Sequence, residues 1–174
     1  MTPEPGKGYQ ALRDGRHSQD GSVYFVTFCS AQRLVGLTKD SVGSVILAEI
    51  QEMDAEAVWT LRCAVIMPDH VHLLFRLGGK LSLGKAIARL KSKSSATLSA
   101  GGLRWQTGYF EHHMRPKEDP LPVFIYIFLN PYKAELLPVN KSWRWFICGK
   151  EDQDWFSAYL DKGLPEPAWL ADLP

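Results

Sequence analysis

The chain is short of cysteine, of any long apolar run and of net charge. Cys29, Cys63 and Cys148 are odd in number, far apart and form no CxxC pair. That argues against a disulfide framework and a zinc–thiolate site, and it suits a reducing cytoplasm. No apolar stretch approaches the roughly 20 residues that a membrane helix needs. The opening MTPEPGKGYQ lacks the apolar segment of a secretory signal. A cytoplasmic chain without membrane contact is therefore expected. With 20 Lys and Arg against 19 Asp and Glu, the formal charge is +1, so any contact with nucleic acid must rest on local clusters. Repeats and low-complexity tracts are missing too. The 174 residues are expected to form one domain, 1–174, long enough to bury a core without staples. Residues 1–21 read as a polar N-terminal arm and 141–174 as a C-terminal tail rich in Trp and Pro.

What is present is an alternation of strand and helix patterns. VYFVTFCS (23–30) is β-branched and aromatic, as a buried strand is. Val42, Val45, Ile46 and Ile50 recur at helical spacing over roughly 39–55, with Thr38 marking the start and Asp40 in the first turn. Residues 57–67 and 70–77 form two strands around the tight break Pro68-Asp69. A second helix is expected over 82–99, a short strand pair around 103–115, and a third helix over 121–137 interrupted by Pro131. The order β-α-β-β-α-β-α places the chain in the α+β class. It is the ferredoxin-like (split βαβ) pattern with an antiparallel sheet and one added helix.

Within AVIMPDHVHLLFRL (64–77) stands HVH. Residues two apart on a strand share a face, with Cα atoms about 6.5–7 Å apart. His70 and His72 thus point one way, and Val71 and Leu73 the other. Two imidazoles so placed can converge on one cation. The pair alone reads equally well as one surface ring and one hydrogen-bonded core ring. In the third helix, Tyr126 and Asn130 are four apart and share a face if the helix is continuous. A tyrosine hydroxyl and an amide there could supply a nucleophile and a ligand. Taken alone, Tyr126 reads as a core tyrosine. Asn130, preceding Pro131, reads as an N-cap.

Four segments in order resemble one family. ALRDGRHSQDGSVYFVTF (11–28) is similar to the LRxGRxSxxGxxYxVT opening of REP-associated tyrosine transposases. IMPDHVHLLF resembles the HUH signature (His, hydrophobic, His) of single-tyrosine transposases. WQTGYFEHHMR (105–115) is similar to WQxGFxDHxxR, and YIFLNPYKAELL to YIxxNPxxAxLV. Together they cover most of 11–137; the tail matches no motif. Glu111 stands where the family usually has Asp, and Glu135 where Gly is frequent.

The resemblance implies an HUH endonuclease core in which His70 and His72 bind a divalent metal, Mg²⁺ or Mn²⁺. It makes Tyr126 the nucleophile on the added helix and Asn130 the third ligand. The implied activity is DNA cleavage and strand transfer on single-stranded DNA carrying a REP-type hairpin, through a 5′-phosphotyrosine. The protein would work as a monomer or homodimer. Glu111 and His112 are candidates for supporting the site, or else ordinary strand-surface residues. Arg13, Arg16 and His17 match the family opening and could contact DNA; a flexible polar terminus is the competing reading. Lys85, Arg89 and Lys93 form an i, i+4, i+8 basic stripe, to which Lys80 and Lys91 add charge. The stripe is either a phosphate contact or a solvated face. Trp105, Trp143 and Trp145 could stack on bases or anchor the core. A non-catalytic or domesticated DNA-binding module on the same fold is the rival, and it requires Tyr126 packed away from the histidines.

Overall fold

The computed structural model describes residues 18–171; Arg13, Arg16 and His17 lie outside them. Among the described residues the order is β1 (Val23–Cys29), α1 (Asp40–Ala55), β2 (Trp59–Ile66), β3 (His70–Leu77), α2 (Leu83–Ala100), β4 (Phe110–His113), α3 (Leu121–Lys133) and β5 (Phe146–Cys148). Two short helices follow, α4 (Gln153–Ser157) and α5 (Pro167–Leu170). The sheet order is β4-β1-β3-β2-β5 with antiparallel pairing throughout. The first four strands are the ferredoxin-like core; β5 extends it at the β2 edge.

Strand alternation sends side chains to two layers. Tyr24, Val26, Phe28, Ala64, Ile66, Val71, Leu73 and Phe75 form one core with α1 and α2. Val65, Leu74 and Cys63 form the other with α3 and the tail. On α1, Val42, Ile46, Ile50 and Met53 are at most 1% exposed, and each such burial stabilises by about 1.5–3 kcal/mol. Lys39, not Thr38, is the residue that caps α1, and it makes no side-chain cap bond. Ser82 does cap α2, its hydroxyl accepting from the Lys85 amide.

Three expectations change. The region 103–115 holds one strand, β4; Trp105 only bridges Ser30. Helix α3 runs unbroken through Pro131 to Lys133, so Asn130 is a helical residue and not an N-cap. Proline is tolerated there because it sits in the last turn and loses a single backbone bond. The helix ends with Glu135 in left-handed backbone, φ 54°. That conformation favours glycine.

The tail is part of the fold. β5 pairs with β2, Trp143 Nε1 donates to the Ile66 carbonyl at 3.0 Å, and Phe156 packs on Phe124 and Phe128. Arg62 holds Asp152 through two bonds of 2.9 and 2.6 Å, fastening β2 to the tail. Trp145 is buried against α1 where Gly43 leaves room; a Cβ there would lie 2.7 Å from the ring. Of the tryptophans singled out above, Trp145 is buried, and Trp105 and Trp143 are partly buried against the core; Trp105 donates to Ser94 Oγ at 2.9 Å and meets Phe28 edge-on.

Candidate active site

The site forms where β3 meets β1 on the face covered by α3. In register His72 lies opposite Thr27 and His70 opposite Cys29. Opposed residues of an antiparallel pair point to one side. The two rings converge: His70 Nε2 and His72 Nε2 are 3.1 Å apart, with centroids 4.6 Å apart. Tyr126 projects from α3 with its ring centroid 5.3 Å from that of His72, and its side chain is 43% exposed. Phe25 packs edge-on to Tyr126 at 5.9 Å and also touches His72 at 5.5 Å. Tyr126 therefore is not packed away from the histidines, as a pure binding module would require. Asn130, half-buried, follows one helical turn later on the same face.

The outer nitrogens of both rings are held. Asp69 Oδ1 lies 2.7 Å from His70 Nδ1. Arg33 Nη2 stands at 3.5 Å from the same nitrogen but is a donor, so the shorter carboxylate contact decides that Nδ1–H donates to Asp69. Neutral His70 then presents a lone pair at Nε2. Thr27 Oγ1 is 2.6 Å from His72 Nδ1. A hydroxyl can donate to that nitrogen or accept from it. In the first case His72 Nε2–H points at His70; in the second, two lone pairs face each other. Burial first, then the nearby His70 and Arg33, pushes His72 down to about 3, with Asp69 opposing. It is a neutral imidazole near pH 7, the form that binds metals.

Arg33 was not singled out in the sequence, and it reaches the site through an unusual turn. Gln32 and Arg33 are successive left-handed residues, φ 58° and 56°, a conformation costing roughly 1–2 kcal/mol per non-glycine residue. The turn is tied to the β2–β3 hairpin by Ser30, whose amide and hydroxyl both donate to the Asp69 carbonyl at 2.9 and 3.1 Å. Its outcome is Arg33 Nε on Asp69 Oδ2 at 2.7 Å and Nη1 on Cys29 Sγ at 2.8 Å.

Among the described residues no group of three or more His, Cys, Asp and Glu is arranged around a metal ion. The spacing of the two nitrogens nevertheless fits an octahedral divalent cation. Adjacent positions of an octahedron with bonds of about 2.1 Å lie about 3.0 Å apart, close to the 3.1 Å between the two Nε2 atoms. A third protein ligand must then be of another type, such as the Asn130 amide.

Several candidates fall elsewhere. Glu111 pairs with Val26 in register and so faces the α1–α2 layer, away from the histidines. His112 pairs with Phe25 and shares the site's face, but its Nε2 is 2.8 Å from Glu118 Oε1. No hydrogen bond or ring contact joins His112 to His70, His72 or Tyr126 among the described residues. Lys85, Arg89 and Lys93 lie on α2, across the sheet from the site. Arg89 is bound to Glu49 of α1 and to Glu56 just past its end, at 3.0 and 2.6 Å. Lys80 donates to the Glu56 carbonyl. Lys91 is turned inward, donating to the Gln106 and Gly108 carbonyls at 2.8 and 2.5 Å.

Residues 18–117, more than half of the chain, match the family described as "Transposase IS200 like". The chain belongs to the IS200-like transposase family. The match ends before α3, so membership rests on the sheet and its histidines and not on Tyr126. The fold is also that of a solved REP-associated tyrosine transposase bound to a REP hairpin. That structure is 20% identical, with a TM-score of 0.65 over 85% of this chain and 87% of that one. A putative transposase from Deinococcus radiodurans aligns less well, at 20% identity and TM-score 0.47 over 67% of this chain and 94% of the other. No curated protein matches. Membership of a transposase family points to a DNA-processing enzyme. None of its described helices is long and apolar enough to cross a membrane.

Proposed function

We propose that this IS200-like family member cleaves and rejoins single-stranded DNA beside REP-type hairpins, with Tyr126 as nucleophile. The observation that carries this is the convergence of two histidine Nε2 atoms, 3.1 Å apart, next to a half-exposed tyrosine on the facing helix. Tyr126 Oη forms a bond to the scissile phosphorus as the bond to the 3′-oxygen breaks. The phenol proton is lost, and the 3′-oxygen takes one up as it leaves. The product is a 5′-phosphotyrosine and a free 3′-hydroxyl. A 3′-hydroxyl attacking the phosphotyrosine reverses the step, so rejoining needs no nucleotide cofactor.

His70, His72 and Asn130 would hold Mg²⁺ or Mn²⁺, which when bound polarises phosphate oxygens and favours departure of the 3′-oxygen. Asp69 keeps the His70 lone pair directed at that position, Thr27 would do so for His72 by accepting from Nδ1–H, and Arg33 fixes Asp69. Phe25 backs Tyr126 and limits its rotation, a rigid mount of the kind that covalent catalysis needs.

The test is incubation of the full chain with single-stranded REP-type hairpin DNA and Mn²⁺ or Mg²⁺. A covalent protein–DNA adduct is expected, resistant to denaturation and absent from Tyr126→Phe and from metal-free reactions. Metal-dependent cutting without an adduct would replace this reading with hydrolysis. Binding with neither would leave a DNA-binding module.

A further inference from the structure

The site continues beyond Tyr126 along a row of rings. Phe110 lies opposite Thr27 in the β1–β4 ladder, on the face that carries the histidines. It meets Phe25 edge-on at 6.4 Å, and Phe25 in turn meets both His72 and Tyr126. Phe110 is nevertheless 60% exposed. Of the large exposed apolar side chains among the described residues, Phe110 and Tyr126 are the two that these ring contacts join to His72. Leu34, Val35, Leu136, Val139 and Tyr159 make no ring contact with the site.

An exposed phenylalanine beside a nucleophile has two ready occupants, another protein or a base. The surroundings favour the base. β4 has four residues and carries Glu111, His112 and His113, a short polar edge that discourages strand pairing. Among the described residues, the other exposed groups on this face include the polar-tipped His112 and Tyr126 and the charged Arg76, surroundings too polar for the apolar core of a protein interface. Lys133 lies 6.0 Å from the Tyr126 ring, adding a cation where a phosphate would pass. An aromatic face next to positive charge is how proteins hold unpaired nucleotides without reading their hydrogen bonds.

We infer that Phe110 is a stacking platform for one unpaired base of the strand whose phosphate is presented to Tyr126. This rests on the DNA-cleavage reading and adds to it the place where the strand beside the cut is gripped. Stacking of that kind, lost to alanine, is worth about 1–3 kcal/mol, or about 5- to 150-fold in affinity.

The experiment uses the full chain carrying Tyr126→Phe, so that binding is read without cutting. The probes are single-stranded REP-type hairpin oligonucleotides with 2-aminopurine at each successive position flanking the cut. One position should be quenched on binding. Phe110→Ala should abolish that quenching and weaken binding by the factor above, and Phe110→Trp should restore both. Because the ring is mostly outside the core, the thermal midpoint of Phe110→Ala should match its parent, and light scattering should show the same assembly state. Unchanged affinity and quenching overturn the platform, as does an affinity loss that tracks a change from dimer to monomer. A wild-type chain that forms the adduct while Phe110→Ala does so with unaltered KM removes the platform alone. No binding of hairpin DNA and no adduct removes it together with the cleavage reading.

Discussion

Replacing Asp69 by Asn tests the site at its most constrained point. The carboxylate accepts from His70 Nδ1–H at 2.7 Å and from Arg33 Nε, also at 2.7 Å. An amide has one acceptor and one donor end, so it can serve only one of these partners. If its oxygen faces His70, its NH₂ opposes Arg33. If its oxygen faces Arg33, its NH₂ donates to His70 Nδ1, and the ring proton moves to Nε2, where it blocks ligation. Either way the support of His70 is weakened. Loss of such a partner behind a metal-binding histidine costs 10- to 100-fold in metal affinity, about 1.4–2.7 kcal/mol. The assay is Mn²⁺ titration by calorimetry, with the thermal midpoint measured to show that the variant is folded. The substitution keeps the Ser30 bonds to the Asp69 carbonyl, and the Asp69 side chain is itself partly exposed, so stability should change much less than affinity. A folded variant that binds Mn²⁺ within twofold of wild type would refute the argument that Asp69 sets the His70 tautomer.

Three further outcomes follow from single contacts. Thr27→Val keeps the shape of the strand but leaves buried His72 Nδ1 without its 2.6 Å partner; a loss of about 1–3 kcal/mol in urea denaturation is expected, together with weaker Mn²⁺ binding. Gly43→Ala places a Cβ 2.7 Å from the buried Trp145 ring. Overpacking of about 1–3 kcal/mol should exceed the roughly 1 kcal/mol of helix propensity gained, so a raised thermal midpoint would contradict the packing described. Glu135→Gly relieves a left-handed residue at the end of α3 and should stabilise by about 0.5–1 kcal/mol, read from the urea midpoint.

Much of the core was legible because its signals are local. β3 spans 70–77 as its alternation indicates, with Val71 and Leu73 in the opposite layer from His72. Of the α1 residues at helical spacing, Val42, Ile46 and Ile50 are buried, and Val45 is partly exposed. The tail was not legible, since β5 is three residues long and is a strand only by virtue of pairing with β2. Arg89 shows the same limit: a member of an i, i+4 basic stripe looks alike whether it meets solvent or, as here, one carboxylate of the neighbouring helix and one just past its end. Asp69 read as a turn residue and nothing more, because neighbouring His70 gives no sign of which way its ring turns, and Arg33 comes from a turn more than thirty positions earlier. Glu111 and His112 are adjacent in sequence, and only the β1–β4 register assigns them to opposite faces.

By itself, then, the sequence determined the order of elements from β1 to α3, the shared face of His70 and His72 and, given an unbroken helix, that of Tyr126 and Asn130. Each of these follows from the fixed geometry of one strand or one helix. Only the tertiary structure decided that the histidine face and the tyrosine face meet, that Thr27, Asp69 and Arg33 hold the rings, and that Phe110 stands exposed beside them. Those relations depend on strand register and layer packing, which join residues far apart along the chain and leave no periodic trace within it.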